Sequence, residues 1–542
     1  MSEFNLIDEA WIPCIALDGT RVEYGIRDTL VKAHELREIC DDSPLVTVAL
    51  HRLLLAVLYR IHEGPGNFRE WSALYSVGKF DQEKINAYLD RWSARFYLID
   101  DTYPFYQMGG MEMNASVPVS RLASEFSSGN NATLFDHHND ETGVAFTYAQ
   151  AVRWLLACQS FALGFGRSGN ATTGGTAEER PYFADANALR GMTVWLQSNN
   201  LFQTLAINLV ASRDASPPPW ELEDPHAYRD RKVGKTKTMV EAKGIIDRLT
   251  WQSRLIRLLP EGDIISRMYF TQGRSADTGP GDPMKVYRIS QREGIFPVSL
   301  SSNKAAWRDC HSILMIPGAD NREKRPECLN LLSRAREEGV IEDELYLVNV
   351  VGLASAPGKA GKFLLWRQDR MPLPAEVLVN KNLIERIGVL IENAERLSLE
   401  LNSRVRRMVK IFLCPTCEAP GGGQPDPDEV SRLANSIDAR GTFWSRVEPH
   451  FYLLLEHLPG DWNADGNEWK TGEQQSATQA WRANIKREAQ RALEESIRAL
   501  GTTAKAIQAV ARVRTTFGDN DLNPPQQETV KSKKDRKGSK KK

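Results

Sequence analysis

The sequence predicts an α+β protein. A large, irregular mixed α/β N-terminal domain covers residues 1–375, a C-terminal four-helix bundle covers 376–517, and a disordered basic tail covers 518–542. Three observations predict this. Over the first 375 residues, short strand and helix candidates alternate with Gly, Pro and Ser clusters, with no βαβ series and no internal repeat. Beyond "RMPLPAEVL" (370–378), long amphipathic segments follow one another with short breaks, as antiparallel helices do. The last twelve residues, "KSKKDRKGSKKK", hold eight Lys/Arg and one Asp, so this run carries +7 and the rest of the chain −8 of a net −1. Such a run has almost nothing apolar to bury.

The elements follow in order. "WIPCIAL" and "RVEYGI" flank Asp18-Gly19, a strong hairpin dipeptide. "LVTVALHRLLLAVLYRIHE" (45–63) has the apolar density of a buried helix. In "TYAQAVRWLLACQSFAL" (147–163) the apolar positions 148, 151, 152, 155, 158 and 162 lie on one helical face, which makes Gly164 a candidate C-cap. "NLIERIGVLIENAERLSLELNSRVRRMVKIFL" (382–413) is the first long helix of the C-terminal part. "APGGGQPDPDEV" (419–430) breaks it, and four further helical segments follow.

With 542 residues the chain is long enough for two or three domains, and 42% hydrophobic with 26% charged residues is a soluble globular composition. No apolar run of the roughly 18 residues needed to cross a bilayer is expected. The N-terminus carries early acids and no basic-then-apolar leader, so the expected location is cytoplasmic. Seven scattered cysteines suit reduced thiols. Cys414 and Cys417 have ligand-like spacing but no second pair nearby, so neither a metal nor a cofactor is expected.

"FALGFGRSGNATTGGT" (161–176) contains G-x-G-x-x-G at Gly164, Gly166 and Gly169. A dinucleotide loop must follow a strand and open a helix; here a helix enters and a loop continues, and no Gly-Lys-Ser/Thr supplies a Walker loop. Glycines let a backbone reach unusual φ/ψ and approach another backbone closely. Arg167 adds charge, and Asn170, Thr172 and Thr173 add small polar groups. On the residues alone, two readings stand: a loop against a nucleic-acid backbone, or a tight turn packing internal elements. A basic run, "YRDRKVGKTKTM" (228–239), reads as an exposed loop suited to phosphates.

"NLIDEAWIPC", "TLFDHH" (133–138), "GFGRSGNATTGGT", "DPMKVYR" (282–288) and "VGLASAPGKAGKFLLWRQDRMPLP" (351–374) occur in that order ahead of the helical region. In this the chain, to about residue 517, resembles the CasA family, the large subunits of the type I-E CRISPR surveillance complex Cascade. The resemblance implies a non-catalytic subunit of an antiviral ribonucleoprotein, with crRNA and the other Cascade subunits as partners. Such subunits recognise the protospacer-adjacent motif (PAM) of double-stranded target DNA from the minor groove, help open the duplex for R-loop formation, and dock a helicase-nuclease. Pairing with the guide then reads the remaining sequence, a division of labour also found in Cas9.

Carried over by position, the resemblance implies a DNA-contacting glycine loop at Gly164, Phe165, Gly166 and Arg167. It implies a groove-entering cation within "DPMKVYR", either Lys285 or Arg288. A wedge at a hairpin tip falls on Lys359, Ala360, Gly361 and Lys362; the family's glutamine is absent there, so backbone bulk and the lysines would have to act. A loop meeting the crRNA 5′ handle falls on Phe135, Asp136, His137 and His138. In the bundle, Arg404, Arg406, Arg407 and Lys410 are candidates for the displaced strand, with a solvated helix face as the other explanation. Two other functions stay open: a metal-dependent nuclease using Asp136, His137, His138, Asp140 and Glu141, and a purely structural assembly subunit.

Overall fold

The computed structural model describes residues 3–123 and 144–522, except 165, 174, 179–181, 224–238, 277–279, 293, 301–303, 316–322, 343–344 and 356–362. The chain forms two compact units, residues 1–384 and 385–542.

In the first unit, Ile12–Ala16 pairs antiparallel with Arg21–Tyr24 and with Leu36–Ile39. The turn is the one the Asp18-Gly19 dipeptide predicts: Gly19 sits at φ +91°, and Asp18 accepts the Thr20 amide at 2.8 Å. Helix Pro44–His62 follows and is buried along nearly its whole length. At 19 residues it is long and apolar enough to cross a membrane, contrary to the expectation that no segment would be, yet its apolar surface is covered by the protein itself. It is a core helix.

Helix Tyr148–Phe161 packs against it, opened by a capping box in which Thr147 and Gln150 each bond the other's backbone amide. The helix ends at Ala162, two residues before Gly164. A four-stranded antiparallel sheet is built on Arg254–Glu261 and Ile264–Gln272. A three-stranded antiparallel sheet joins Thr193–Gln197, Leu345–Ser355 and Phe363–Pro374. The first unit continues past the sequence boundary at 375 because the short helix Ala375–Val379 is held by helix Glu327–Glu337 and by Arg325 just ahead of it: Ser333 and Arg325 both donate to the Leu378 carbonyl.

The second unit is helical: Lys381–Leu413 runs into it, followed by Pro427–Ile437, Ala439–His457, Ser476–Ala499 and Ala504–Val513. Among the described residues these are five helices where a four-helix bundle is expected; Asp438, at φ +45°, ends Pro427–Ile437 and caps Ala439–His457 by accepting the Gly441 amide. Trp481 donates to the Leu390 carbonyl at 3.0 Å, and Arg440 to Ser398 at the same distance, tying three of the helices together. Residues 518–522, counted with the disordered tail on sequence, are folded onto the helices. Asp521 meets Arg404, Leu522 is buried, and its carbonyl accepts from Asn393.

Candidate nucleic-acid interface

The glycine loop is stapled at its two ends by one buried arginine. Arg254 donates through Nη2 to the carbonyls of Leu163 (2.8 Å) and Ala184 (2.9 Å), and through Nη1 to Gln272 Oε1, which itself accepts the Ala184 amide. Burial pushes the guanidinium down to about 10. Gly164 lies inside this staple. Its amide donates to Asp185 Oδ1 at 2.9 Å, and a Cβ there would collide with the Asp185 nitrogen and lie 2.6 Å from the Ala184 carbonyl carbon. Gly164 is therefore neither a helix cap nor an outward-facing contact; it allows two backbones to close on each other.

Gly166 is different: it is exposed, at φ +82°, with open space where a Cβ would be. Beside it Arg167 is exposed, donating to Tyr182 Oη at 3.0 Å with its guanidinium 5.7 Å from that ring. Phe165 lies outside the described residues. The stretch after Gly169, expected to continue as loop, forms a small hairpin of Ala171–Thr173 and Thr176–Glu178. Gly175, at φ +76°, supplies its turn.

The 282–288 segment rests on the same support. Lys285 is 3% exposed, and its ammonium donates to the carbonyls of Ala188 (3.0 Å), Gly191 (3.4 Å) and Arg190. Asp185, which receives Gly164, also receives Arg190 at 2.9 Å. Residues 184–191 thus hold the glycine loop on one side and the 282–288 segment on the other. This corrects the expectation for Lys285: all three ammonium hydrogens point at carbonyls, and burial lowers its affinity for a proton to a pKa of about 8. A cation so placed cannot enter a groove.

Arg288 is exposed, with Nη2 3.4 Å from Ser312 Oγ. It opens a hairpin, Tyr287–Ser290 with Gly294–Pro297, whose tip carries the exposed Gln291 and Arg292 and whose turn uses Gly294 at φ +72°. Ile289 and Ile295 face each other across the strands, each 41% exposed. Arg292 was missed on sequence. The signal was present in "YRISQREGIFP", where two apolar-alternating runs flank a polar, glycine-closed turn.

Lys359, Ala360, Gly361 and Lys362 lie outside the described residues; the strands leading to them pair up to Ser355 and Phe363. Phe135, Asp136, His137 and His138 also lie outside them, with Asp140, Glu141 and most of the basic run 228–239. Among the described residues, no group of three or more His, Cys, Asp or Glu side chains is placed to hold a metal. Cys414 and Cys417 follow the end of helix Lys381–Leu413 as free thiols. Of the bundle cations, Arg404 is taken up by Glu400, Asp521 and the face of Phe517, and Arg407 by Glu418 at 2.7 Å. Those two charges are met by internal partners.

The family model for CRISPR-associated protein Cse1 matches residues 5–492. The chain is 31% identical over 525 residues to a CRISPR-associated protein CasA/Cse1 of Thermus thermophilus, covering 96% of this chain and 97% of that protein. The fold matches a solved Thermus thermophilus CasA (Cse1) with a TM-score of 0.74 at 27% identity, over 96% of this chain and 98% of that one. It also matches Cse1 from Acidimicrobium ferrooxidans with a TM-score of 0.74 at 23% identity, over 96% and 97% of the two chains. A chain of a solved CRISPR RNA-guided surveillance complex shares the fold at 19% identity, with a TM-score of 0.69 over 95% and 99% of the two chains. The chain belongs to the Cse1 (CasA) family of CRISPR-associated proteins.

Proposed function

We propose that this chain is the PAM-reading subunit of an RNA-guided surveillance complex, working in the cytoplasm. It approaches the minor groove of duplex DNA with the Gly166–Arg167 turn and with the hairpin that carries Arg288 and Arg292. The observation that carries this reading is the shared support at 184–191, to which both segments are anchored by polar contacts. An open glycine admits a sugar-phosphate wall that a side chain would block. A cation at a ribbon tip suits the negative potential of a narrow minor groove. The contacts read only a short motif, and duplex opening then hands recognition to guide pairing. The chain performs no catalysis in this reading, and it presents a docking surface for a helicase-nuclease.

The test is duplex binding by the guide-loaded complex, assembled with and without this chain, on targets with intact or scrambled flanking motif. Tight, motif-dependent binding only with the chain is expected. Equal binding with and without it would reduce the chain to an assembly subunit. Cutting by the chain alone with Mg²⁺ or Mn²⁺ would overturn the non-catalytic reading.

A further inference from the structure

Behind the Lys285 segment, the first unit holds a cavity of about 470 Å³, within the size range of small-ligand sites. Its charge is unbalanced. Two buried cations stand in its wall, Lys285 and Arg325, each 3% exposed. Lys285 donates only to backbone carbonyls. Arg325 donates to Asn330 Oδ1 (2.7 Å), Ser333 Oγ (2.8 Å) and the carbonyls of Leu314 and Leu378, all neutral acceptors. Of the wall's carboxylates, Asp282 is held by Arg52 at 2.9 Å, and Glu327 is shared between Lys324 and Asn330. Asp282 and Glu327 attract these two cations without pairing directly with them, but with Lys324 and Arg334 the wall's cations outnumber its carboxylates, which raises the potential of the space they face. Burial lowers the pKa of Lys285 to about 8 and that of Arg325 to about 10, so each would be relieved by an anion.

The donors that can reach a ligand are grouped. Tyr287 and Lys324 are cross-strand partners in one antiparallel pair. Tyr287 is 2% exposed; its oxygen accepts the Asp282 amide at 3.0 Å, and its own hydroxyl hydrogen meets no acceptor among the described residues. Lys324 is half-exposed, with one ammonium contact, to Glu327. Elsewhere in the lining, the Arg334 guanidinium lies over the Phe68 ring, 4.3 Å from its centre, two flat groups on which a nucleobase can stack.

We propose that this cavity binds a nucleoside phosphate. Tyr287 and Lys324 take the phosphate, and the base stacks on Arg334 and Phe68. The same chemistry serves a free mononucleotide or one unstacked nucleotide of a bound strand.

The test is calorimetric titration of the full-length chain with AMP, UMP, adenosine, inorganic phosphate and a short single-stranded RNA. Saturable binding of a mononucleotide is expected, stronger than that of either adenosine or phosphate. The double variant Lys324→Ala/Arg334→Ala should weaken it by about tenfold or more, the scale of lost charge-assisted hydrogen bonds. Tyr287→Phe, which keeps the ring, should weaken it less. Melting temperatures of the variants serve as the folding control. If only the RNA binds and the double variant loses it, the nucleotide comes from a strand. If neither mononucleotide nor RNA binds, or if the well-folded double variant binds both as tightly as the wild type, the assignment fails.

Discussion

Arg52 and Asp282 are paired at 2.9 Å with both side chains 2% exposed, joining the core helix Pro44–His62 to the turn that precedes Lys285. Arg52 also donates to the Arg248 carbonyl, and Asp282 also accepts the Met284 amide. Burial pushes the Asp282 carboxyl up, but the attraction of Arg52 and Lys285 together with the Met284 amide keeps it below the usual carboxylate range. The "DPMKVYR" motif is thus first a support built on a buried ion pair, and the exposed hairpin projects from it.

Removing one partner of this pair should be costly. Asp282→Asn strands a buried guanidinium, and a loss of about 3–5 kcal/mol of stability is expected. Urea unfolding checks it. Adding Arg52→Met removes the stranded charge and should recover part of the loss, so the two substitutions should be non-additive. Additive losses would mean the pair is not coupled.

Gly164 and Gly166 should separate stability from DNA binding. Gly164→Ala forces a methyl group into the Ala184–Asp185 backbone and should cost about 1–3 kcal/mol in thermal unfolding. Gly166→Ala pays only for its positive φ, about 1 kcal/mol. Gly166→Arg should retain the fold and abolish motif-dependent duplex binding by the assembled complex. Retained binding would place the DNA contact elsewhere.

Lys285 and Arg292 should separate in the same way. Lys285→Met leaves three carbonyls without their donor and should lower the melting temperature. Arg292→Ala should change stability by less than about 0.5 kcal/mol, as exposed positions do. It should weaken binding to motif-bearing duplex by about tenfold, the scale of a lost groove or phosphate contact. Filter binding at fixed salt reads both variants.

Acid should destabilise the first unit through two histidines. Burial lowers His51 and His62 from 6.5 to about 4; at His51 the Nδ1–H bond to the Thr47 carbonyl, 2.8 Å, opposes burial without overcoming it. The unfolded chain therefore takes up protons that the folded chain refuses, and stability falls as pH drops from about 6.5 towards 4. At pH 5 the loss is on the order of 2 kcal/mol per histidine. Urea midpoints at pH 7 and pH 5 measure it, and His51→Gln should remove its share of the slope.

Local rules made much of the first unit legible. The Asp18-Gly19 hairpin, the helix at 44–62 and the helix entering the glycine loop follow from turn chemistry and 3.6-residue periodicity within one segment. The C-terminal helices were legible as separate segments for the same reason, though not the αL conformation of Asp438 between two of them. For the proposed interface, "GFGRSG" and "DPMKVYR" named two segments that the fold anchors to one support at 184–191, but the exposed role read for Lys285 does not fit its burial.

What the sequence determined by itself was therefore the set of elements, the helical character of the C-terminal part and the segments that carry the family resemblance. Tertiary structure alone decided which residues of those segments face outward. Arg52 meets Asp282 across 230 positions, Lys285 meets Ala188 across 97, and Gly164 meets Asp185 across 21. A residue's exposure is the sum of such distant contacts, which no window of neighbouring residues contains. The same long-range closure gathered Phe68, Tyr287, Lys324 and Arg334 around one positively charged cavity that no motif announces.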